Sequence, residues 1–421
     1  MKGKRVAIVG AGAAGCFCAV ELKRSLPEAE VVVYERGRRP LAKVAITGGG
    51  RCNLTNSFRQ ITDLRQAYPR GARLMQRLFH QFSPADTQDW WEREGVALVT
   101  QDDECVFPHS QDAMQVVETL LRLMRQHGVR LLTECPVSSI VPMKAHTPSE
   151  MANSGSLADE GYAIISARGT ETFDYIVITT GGAPRATGLS FLSALQLDTV
   201  PPVPSLFALN LGDDDLHNLT GTVVENTPVS IVGTKLKADG ALLITHFGMS
   251  GPAILRLSSY AARYLAEQDY RVTLSVNWMQ GRNESQVLQE LECLAAHPKL
   301  LTNLHPEHLT ARHWAYLLQR AGIPDSRRWD SLNRKELNRL TSLLTSDTYQ
   351  TNGRRTHKAE FVTCGGVSLQ SVQPQTLALK AHPHAFLAGE VLDVDAITGG
   401  FNLQAAWSMG YVVAKSIADS R

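Results

Sequence analysis

Apolar residues fall along this chain in short runs separated by glycine-rich turns, and the first run sets the pattern. Arg5-Val6-Ala7-Ile8-Val9 is almost wholly apolar, as a central parallel strand buried on both faces must be. It runs into Gly10-Ala11-Gly12-Ala13-Ala14-Gly15, after which helical spacing takes over through Cys18 and Leu22 until Pro27. A second apolar run, Val31-Val32-Val33-Tyr34, ends in Glu35. This order predicts a strand, a helix and a parallel strand, with a carboxylate at the second strand's end.

Residues 71–94 and Ala113–Gln126 carry helical periodicity, while Val129–Leu132, Tyr162–Ile165 and Tyr175–Ile178 read as strands. A polar loop is predicted over Lys144–Asp159. Character changes where Pro201, Pro202 and Pro204 crowd together. Beyond them, Val229–Val232, Ala241–Thr245 and Val272–Val276 read as strands and Ala253–Leu265 as a helix. Glu284–Leu344 is helical with breaks at Pro298, Pro306 and Gly322-Ile323-Pro324. Strand-to-glycine patterns return at Glu360–Val367 and Ala385–Glu390, and a last helix follows Gly400. The predicted class is α/β: a nucleotide-binding domain built from residues 1–195 and 356–421, with an inserted domain at 196–355.

The glycines of the first turn suggest their chemistry. Gly10 permits a tight exit from the strand, Gly12 removes a Cβ that would meet a diphosphate, and Gly15 lets the helix pack on the sheet. The N–H groups of the first helical turn, through Ala13 and Ala14, then face the phosphates. Glu35 can accept both ribose hydroxyls and would repel a 2′-phosphate in spite of Arg36 and Arg38, which favours FAD or NAD over NADP. Thr47-Gly48-Gly49-Gly50-Arg51-Cys52-Asn53-Leu54-Thr55-Asn56 reads either as a second cofactor-facing loop, with Arg51 complementing phosphate, or as a solvated turn. Thr180, Gly181 and Gly182 form another strand exit, suited to cofactor approach or to a tight loop. At the far end, Gly389 lets the chain pass close to a polyol that Glu390 can bind. Gly399 and Gly400 place a helix N-terminus where it would stabilise negative charge on a reduced flavin, or else simply finish the core.

Composition narrows the field. Lys plus Arg number 42 and Asp plus Glu 41, so a net charge of +1 supplies no general attraction for nucleic acid, and no nucleic-acid partner is expected. Seven scattered cysteines suit a reducing compartment, and the cytoplasm is the expected location. No run reaches the roughly 18–20 apolar residues of a membrane span, so no membrane partner is expected. His297, His305, His308 and His313 lack a ligand spacing, so no metal is expected. Nothing in the pattern reports oligomeric state.

Five stretches, Gly10–Gly15, Gly48–Asn56, Thr245–Pro252, Thr363–Val367 and Gly389–Gln404, together resemble the bacterial HI-family flavoproteins. These are NAD(P)/FAD-dependent oxidoreductases of the BaiN-like or aminoacetone-oxidase-like group. The resemblance covers nearly the whole chain. It implies a glutathione-reductase-like FAD-binding Rossmann domain interrupted by an inserted β-barrel and helical domain. It also implies that Gly10, Gly12, Gly15 and Glu35 hold the ADP half, and that Gly49, Gly50, Arg51, Cys52 and Asn53 lie near the diphosphate or flavin. Glu390 and the Gly399, Gly400, Phe401, Asn402 and Leu403 segment would hold the ribityl chain and ring. The chain departs from the family at Ala183-Pro184-Arg185-Ala186-Thr187-Gly188 and at Cys364.

The expected activity is flavin-mediated redox chemistry on a small organic substrate, with FAD as cofactor and NADH or NADPH as a transient donor. His246 is a candidate proton donor, and Cys52 and Cys364 are candidate ring-side residues without the paired spacing of a disulfide reductase. Two other classes stay open: a flavin-dependent nucleic-acid-modifying enzyme and a non-catalytic flavin-binding redox sensor.

Overall fold

A computed structural model of the chain describes residues 3–143, 161–183, 186–212, 215–355 and 362–420. The chain divides into two compact units, one comprising Met1–Val203 with Val362–Arg421 and the other Pro204–Phe361. Both boundaries fall later than the 196 and 355 read from composition.

The first unit holds a five-stranded sheet of β1 (Arg5–Val9), β2 (Glu30–Tyr34), β3 (Arg130–Leu132), β4 (Tyr175–Ile178) and β5 (Ala385–Leu387). All pairings are parallel, in the order β5-β4-β1-β2-β3. Central β1 explains its own sequence, because Val6, Ala7 and Ile8 are wholly buried and no face is left for polar side chains. The chain runs outward from β1 in one direction through β2 and β3 and in the other through β4 and β5. Ligands of such sheets bind beyond the strands' carboxyl ends at this reversal.

Four helices matter for the site: α1 (Ala13–Ser25), α2 (Ala42–Ile46), α3 (Ala113–Gln126) and α4 (Phe401–Asp419). The last helix of the chain packs against the first. A Cβ on Gly410 would lie 2.8 Å from the Ala14 carbonyl, and the rings of Phe17 and Trp407 stand 5.5 Å apart. Only a glycine at 410 allows that approach. The helix expected over 71–94 is two, Ala72–Leu78 and Pro84–Arg93, because Ser83 and Asp86 form a capping box and Pro84 begins a new helix. Val137–Pro142, Tyr162–Ser166 and Gly169–Phe173 make an antiparallel three-stranded sheet. The loop expected at Lys144–Asp159, and Glu360 and Phe361 of an expected strand, lie outside the described residues.

In the second unit eight strands form an antiparallel ladder from Val223–Val224 to Lys237–Ala238, with Asp347–Arg354 near its centre. Helices Pro252–Tyr260, Ala262–Glu267, Glu284–Ala295, Ala311–Arg320 and Arg334–Ser346 accompany it. The helix expected at Ala253–Leu265 is interrupted at Ala261. Trp278, Trp314 and Trp329 are fully buried in this unit's core. Beside them, Asp347 is satisfied by Trp278 Nε1 at 3.0 Å, by the Tyr349 hydroxyl and by the Arg320 guanidinium. No described helix of the chain is long and apolar enough to cross a membrane.

His313 is fully buried edge-on to Trp278, with the ring centroids 4.5 Å apart. Burial, reinforced by the charge of His308, pushes its imidazole down to about 4. The folded protein therefore keeps His313 neutral while the unfolded chain protonates it below about 6.5. Its contribution is complete above that value and is lost as pH falls toward 4. Between pH 7 and pH 5 the loss expected from this group is about 2 kcal/mol. Urea unfolding of wild type and His313→Leu at both pH values checks this. The variant should lose distinctly less stability on acidification, and equal losses would refute the assignment.

Candidate functional site

The first glycine turn separates into glycines that the fold requires and one that it does not. Gly10 has φ +111°, and a Cβ there would stand 2.5 Å from the Thr179 carbonyl oxygen. A Cβ on Gly15 would meet the Gly10 carbonyl oxygen at 2.1 Å. Gly12, which caps α1, is different. Its backbone is extended, at φ −87° and ψ −168°, and nothing but the Thr179 oxygen, at 4.0 Å, comes near its missing Cβ. Neither strain nor packing within the protein explains a glycine there, so the open space before the helix is what it preserves.

That space adjoins unsatisfied backbone. The cap of α1 supplies no side-chain hydrogen bond, and the first-turn N–H groups of Ala13 and Ala14 have no partners within the helix. By contrast, the Asp112 side chain caps α3 at 2.8 Å from the Met114 nitrogen. Glu35 is fixed beside this turn, one oxygen accepting from Ala11 N at 2.9 Å and the other from Gly37 N at 2.7 Å. Each oxygen keeps a lone pair for a hydroxyl. Arg36 is exposed and has no side-chain partner among the described residues.

Motifs from the far end of the chain meet this turn. A Cβ on Gly389, at φ +79°, would stand 3.3 Å from the Ala14 Cβ. The Glu390 carboxylate accepts from Thr363 N at 2.6 Å and pairs with the Lys43 ammonium at 3.2 Å. A Cβ on Gly182 would lie 2.9 Å from Glu390 Cδ, and Gly181 is left-handed at φ +74°. Thr180 is exposed.

The glycine loop is tied to α4. Gly400 caps that helix at φ +86°, again with no side-chain hydrogen bond, and its missing Cβ would be 2.2 Å from the Thr55 carbonyl oxygen. The Asn53 amide, turned so that both its ends are paired, accepts from Gly400 N at 3.2 Å and donates to Thr55 O at 2.9 Å. Thr55 donates to Gln404 at 2.5 Å, and Trp407 donates to Leu54 O at 2.9 Å. Asn402 braces the approach to the helix by accepting from Ala396 N and donating to Ala396 O, both at 3.0 Å. Phe401 is buried against Phe58 and Tyr68, and Leu403 follows it in the first turn. Gly49 and Gly50 have open space where side chains would be. Arg51 lies over the Phe107 ring at 4.5 Å.

The three candidate catalytic side chains have different surroundings. Cys52 is buried in a left-handed conformation at φ +61°, and burial pushes its thiol up to about 12, which leaves it protonated at neutral pH. Cys364 is buried within the strand Val362–Val367. His246 is exposed in the second unit, in the hairpin between Leu242–Thr245 and Gly248–Ser250. Lys43 and the pairings of Thr363 with Glu390 and of Arg70 with buried Asp395 escaped sequence reading, since no motif or spacing links residues so far apart.

Two substitutions separate the roles of the glycines. Gly12→Ala is expected to leave thermal stability unchanged and to weaken binding of added FAD by about tenfold or more. Gly15→Ala is expected to destabilise the fold itself by about 1–3 kcal/mol, through its clash with Gly10. Melting curves with and without FAD check both. A destabilised Gly12→Ala protein, or one that binds FAD as wild type does, would contradict the reading.

The HI0933-like protein Rossmann domain matches residues 4–416. The chain is 26% identical to the 3-dehydro-bile acid delta(4,6)-reductase of Clostridium scindens over 99% of both chains. It is 27% identical to the ribosomal RNA dihydrouridine synthase of Escherichia coli over 97% of both. Among solved structures it resembles the 3-ketosteroid delta1-dehydrogenase of Sterolibacterium denitrificans in complex with 1,4-androstadiene-3,17-dione, across 100% of both chains, with 10% identity and a TM-score of 0.50. That last likeness is one of fold. With a match running almost from end to end, this chain belongs to the HI0933-like family of Rossmann-domain proteins.

Proposed function

We propose that the chain is an FAD-dependent oxidoreductase that reduces a carbon–carbon double bond conjugated with a carbonyl in a small organic substrate. One observation carries the cofactor: two helices with glycine-capped N-termini, from opposite ends of the sequence, pack on one another in the first unit. A mononucleotide would need only the first. Gly12, Ala13 and Ala14 would bind the diphosphate through backbone N–H groups, and Glu35 the adenosine ribose. Glu390 would take the ribityl hydroxyls, and the first turn of α4 would face the pyrimidine edge of the ring. Bound and reduced, the flavin supplies a hydride. The protein's residues orient the ring, and the dipole of α4 favours the negative charge that accompanies reduction.

The substrate class rests on what the relatives' names have in common. A 3-dehydro-bile acid with unsaturation at positions 4 and 6 and a uridine that becomes dihydrouridine both carry an alkene conjugated with a carbonyl. Such an alkene accepts hydride at its far carbon and a proton at the near one. NADH or NADPH is the donor in this reading.

A second reading is favoured by the RNA-acting relatives, which include the ribosomal RNA dihydrouridine synthase of Haemophilus influenzae, 24% identical over 98% of both chains. In it the conjugated alkene is a uracil ring in RNA. Exposed Arg36, Arg38 and Arg39, and Arg73 and Arg77 one helical turn apart, have no ion-pair partner among the described residues, and they offer charge for phosphates.

The protein as purified, or after reconstitution with FAD, is expected to show oxidised-flavin absorbance that bleaches anaerobically with NADH or NADPH. A 3-oxo-Δ4 steroid should then restore the oxidised bands. Restoration only by ribosomal RNA, with dihydrouridine detected by mass spectrometry, would replace the first reading by the second. A protein that takes up no FAD would end both.

A further inference from the structure

Glu390 raises an electrostatic problem within the first unit. Its side chain is mostly buried, with 20% exposed, and Gly389 before it lies against Ala14 in the first turn of α1. A carboxylate therefore follows by one residue the backbone that packs on the first turn of α1, where a doubly charged diphosphate would bind. Like charges repel, and the more so where one of them is mostly buried. The N–H of Thr363 and the dipole of α1 offset part of this. The one side-chain cation paired with Glu390 among the described residues is Lys43, at 3.2 Å.

Lys43 is well placed for that role. It lies on α2, and the segment leading into that helix is anchored to the first glycine turn by Leu41 N–H donating to Ala11 O at 2.8 Å. An ammonium from the amino-terminal part of the unit thus pairs with a carboxylate from its carboxyl-terminal part. Its side chain is 59% exposed, and an ion pair so exposed adds little to folding stability. The pair joins residues 347 positions apart, and stability alone gives no reason for it.

We infer that Lys43 is a positioning residue for the flavin site. Its ammonium neutralises Glu390 and holds that carboxylate at the polyol position, so that a carboxylate and a diphosphate can share one cradle. This rests on the FAD reading above. Lys43 acts through Glu390, and its effect is one of charge. Loss of the charge should matter only while Glu390 is ionised, and should shrink as salt screens the site.

The test is the dissociation constant of FAD from the apoprotein, followed by flavin fluorescence, with melting of the FAD-free protein as the control for folding. Lys43→Met, or Lys43→Gln should the first variant fold poorly, is expected to weaken FAD by about tenfold at low salt and less at high salt. Lys43→Arg, which keeps the charge, should stay within about threefold of wild type. Adding Lys43→Met to Glu390→Gln should cost no more than about threefold beyond Glu390→Gln alone. The inference is overturned by unchanged affinity in Lys43→Met, by an equal loss in Lys43→Arg, or by an equal loss of affinity in the Glu390→Gln background. Wild-type apoprotein that does not bind FAD at all would instead overturn the underlying cofactor reading.

Discussion

The first-turn N–H groups of α1 cannot be satisfied inside their own helix, and the first unit is organised around that deficit. Several helices of this chain resolve it with a capping side chain, as α3 does with Asp112. Here the cap is Gly12, which offers no side chain and leaves the space before the helix clear. Gly10 and Gly15 allow the strand, the turn and the helix to close up behind that space. Gly400 likewise caps α4 without a side-chain hydrogen bond, but there the glycine is required by a positive φ and by the Thr55 carbonyl oxygen packed against it. Gly410 lets the two helices approach, so both glycine-capped N-termini are carried by elements packed on one another.

How far this was readable from the chain depends on the distance over which each interaction acts. The β1–α1–β2 unit was legible because its signals are local: an apolar run, three spaced glycines and a terminal Glu35. The positive φ values of Gly48, Gly49 and Gly50 are likewise announced by the residues themselves. The split of the 71–94 helix was written at Ser83-Pro84-Ala85-Asp86, but a continuous helical periodicity concealed it. What could not be read was pairing across hundreds of residues. Asn53 with Gly400, Thr55 with Gln404 and Lys43 with Glu390 have no shared motif, and only the assembled sheet brings them together.

The candidate chemistry divides the same way. Cysteine by its identity suggests redox catalysis, yet burial pushes the Cys52 thiol up to about 12 and holds Cys16 and Cys18 well above the usual thiol range. Reactivity depends on surroundings that residue identity does not reveal. The features that remain are positional: backbone donors, two carboxylates held by backbone N–H groups, and a charge balance at Glu390. They describe a protein that binds and orients a redox cofactor and leaves the electron chemistry to it.

The central claim is that one extended nucleotide spans both helix N-termini at once. Amide hydrogen exchange with and without FAD measures this most directly. Slowed exchange at Ala13–Gly15 and at Phe401–Leu403 together, from a single bound equivalent, is the result expected. Protection at the first turn alone, with the amides of α4 unaffected, would contradict it.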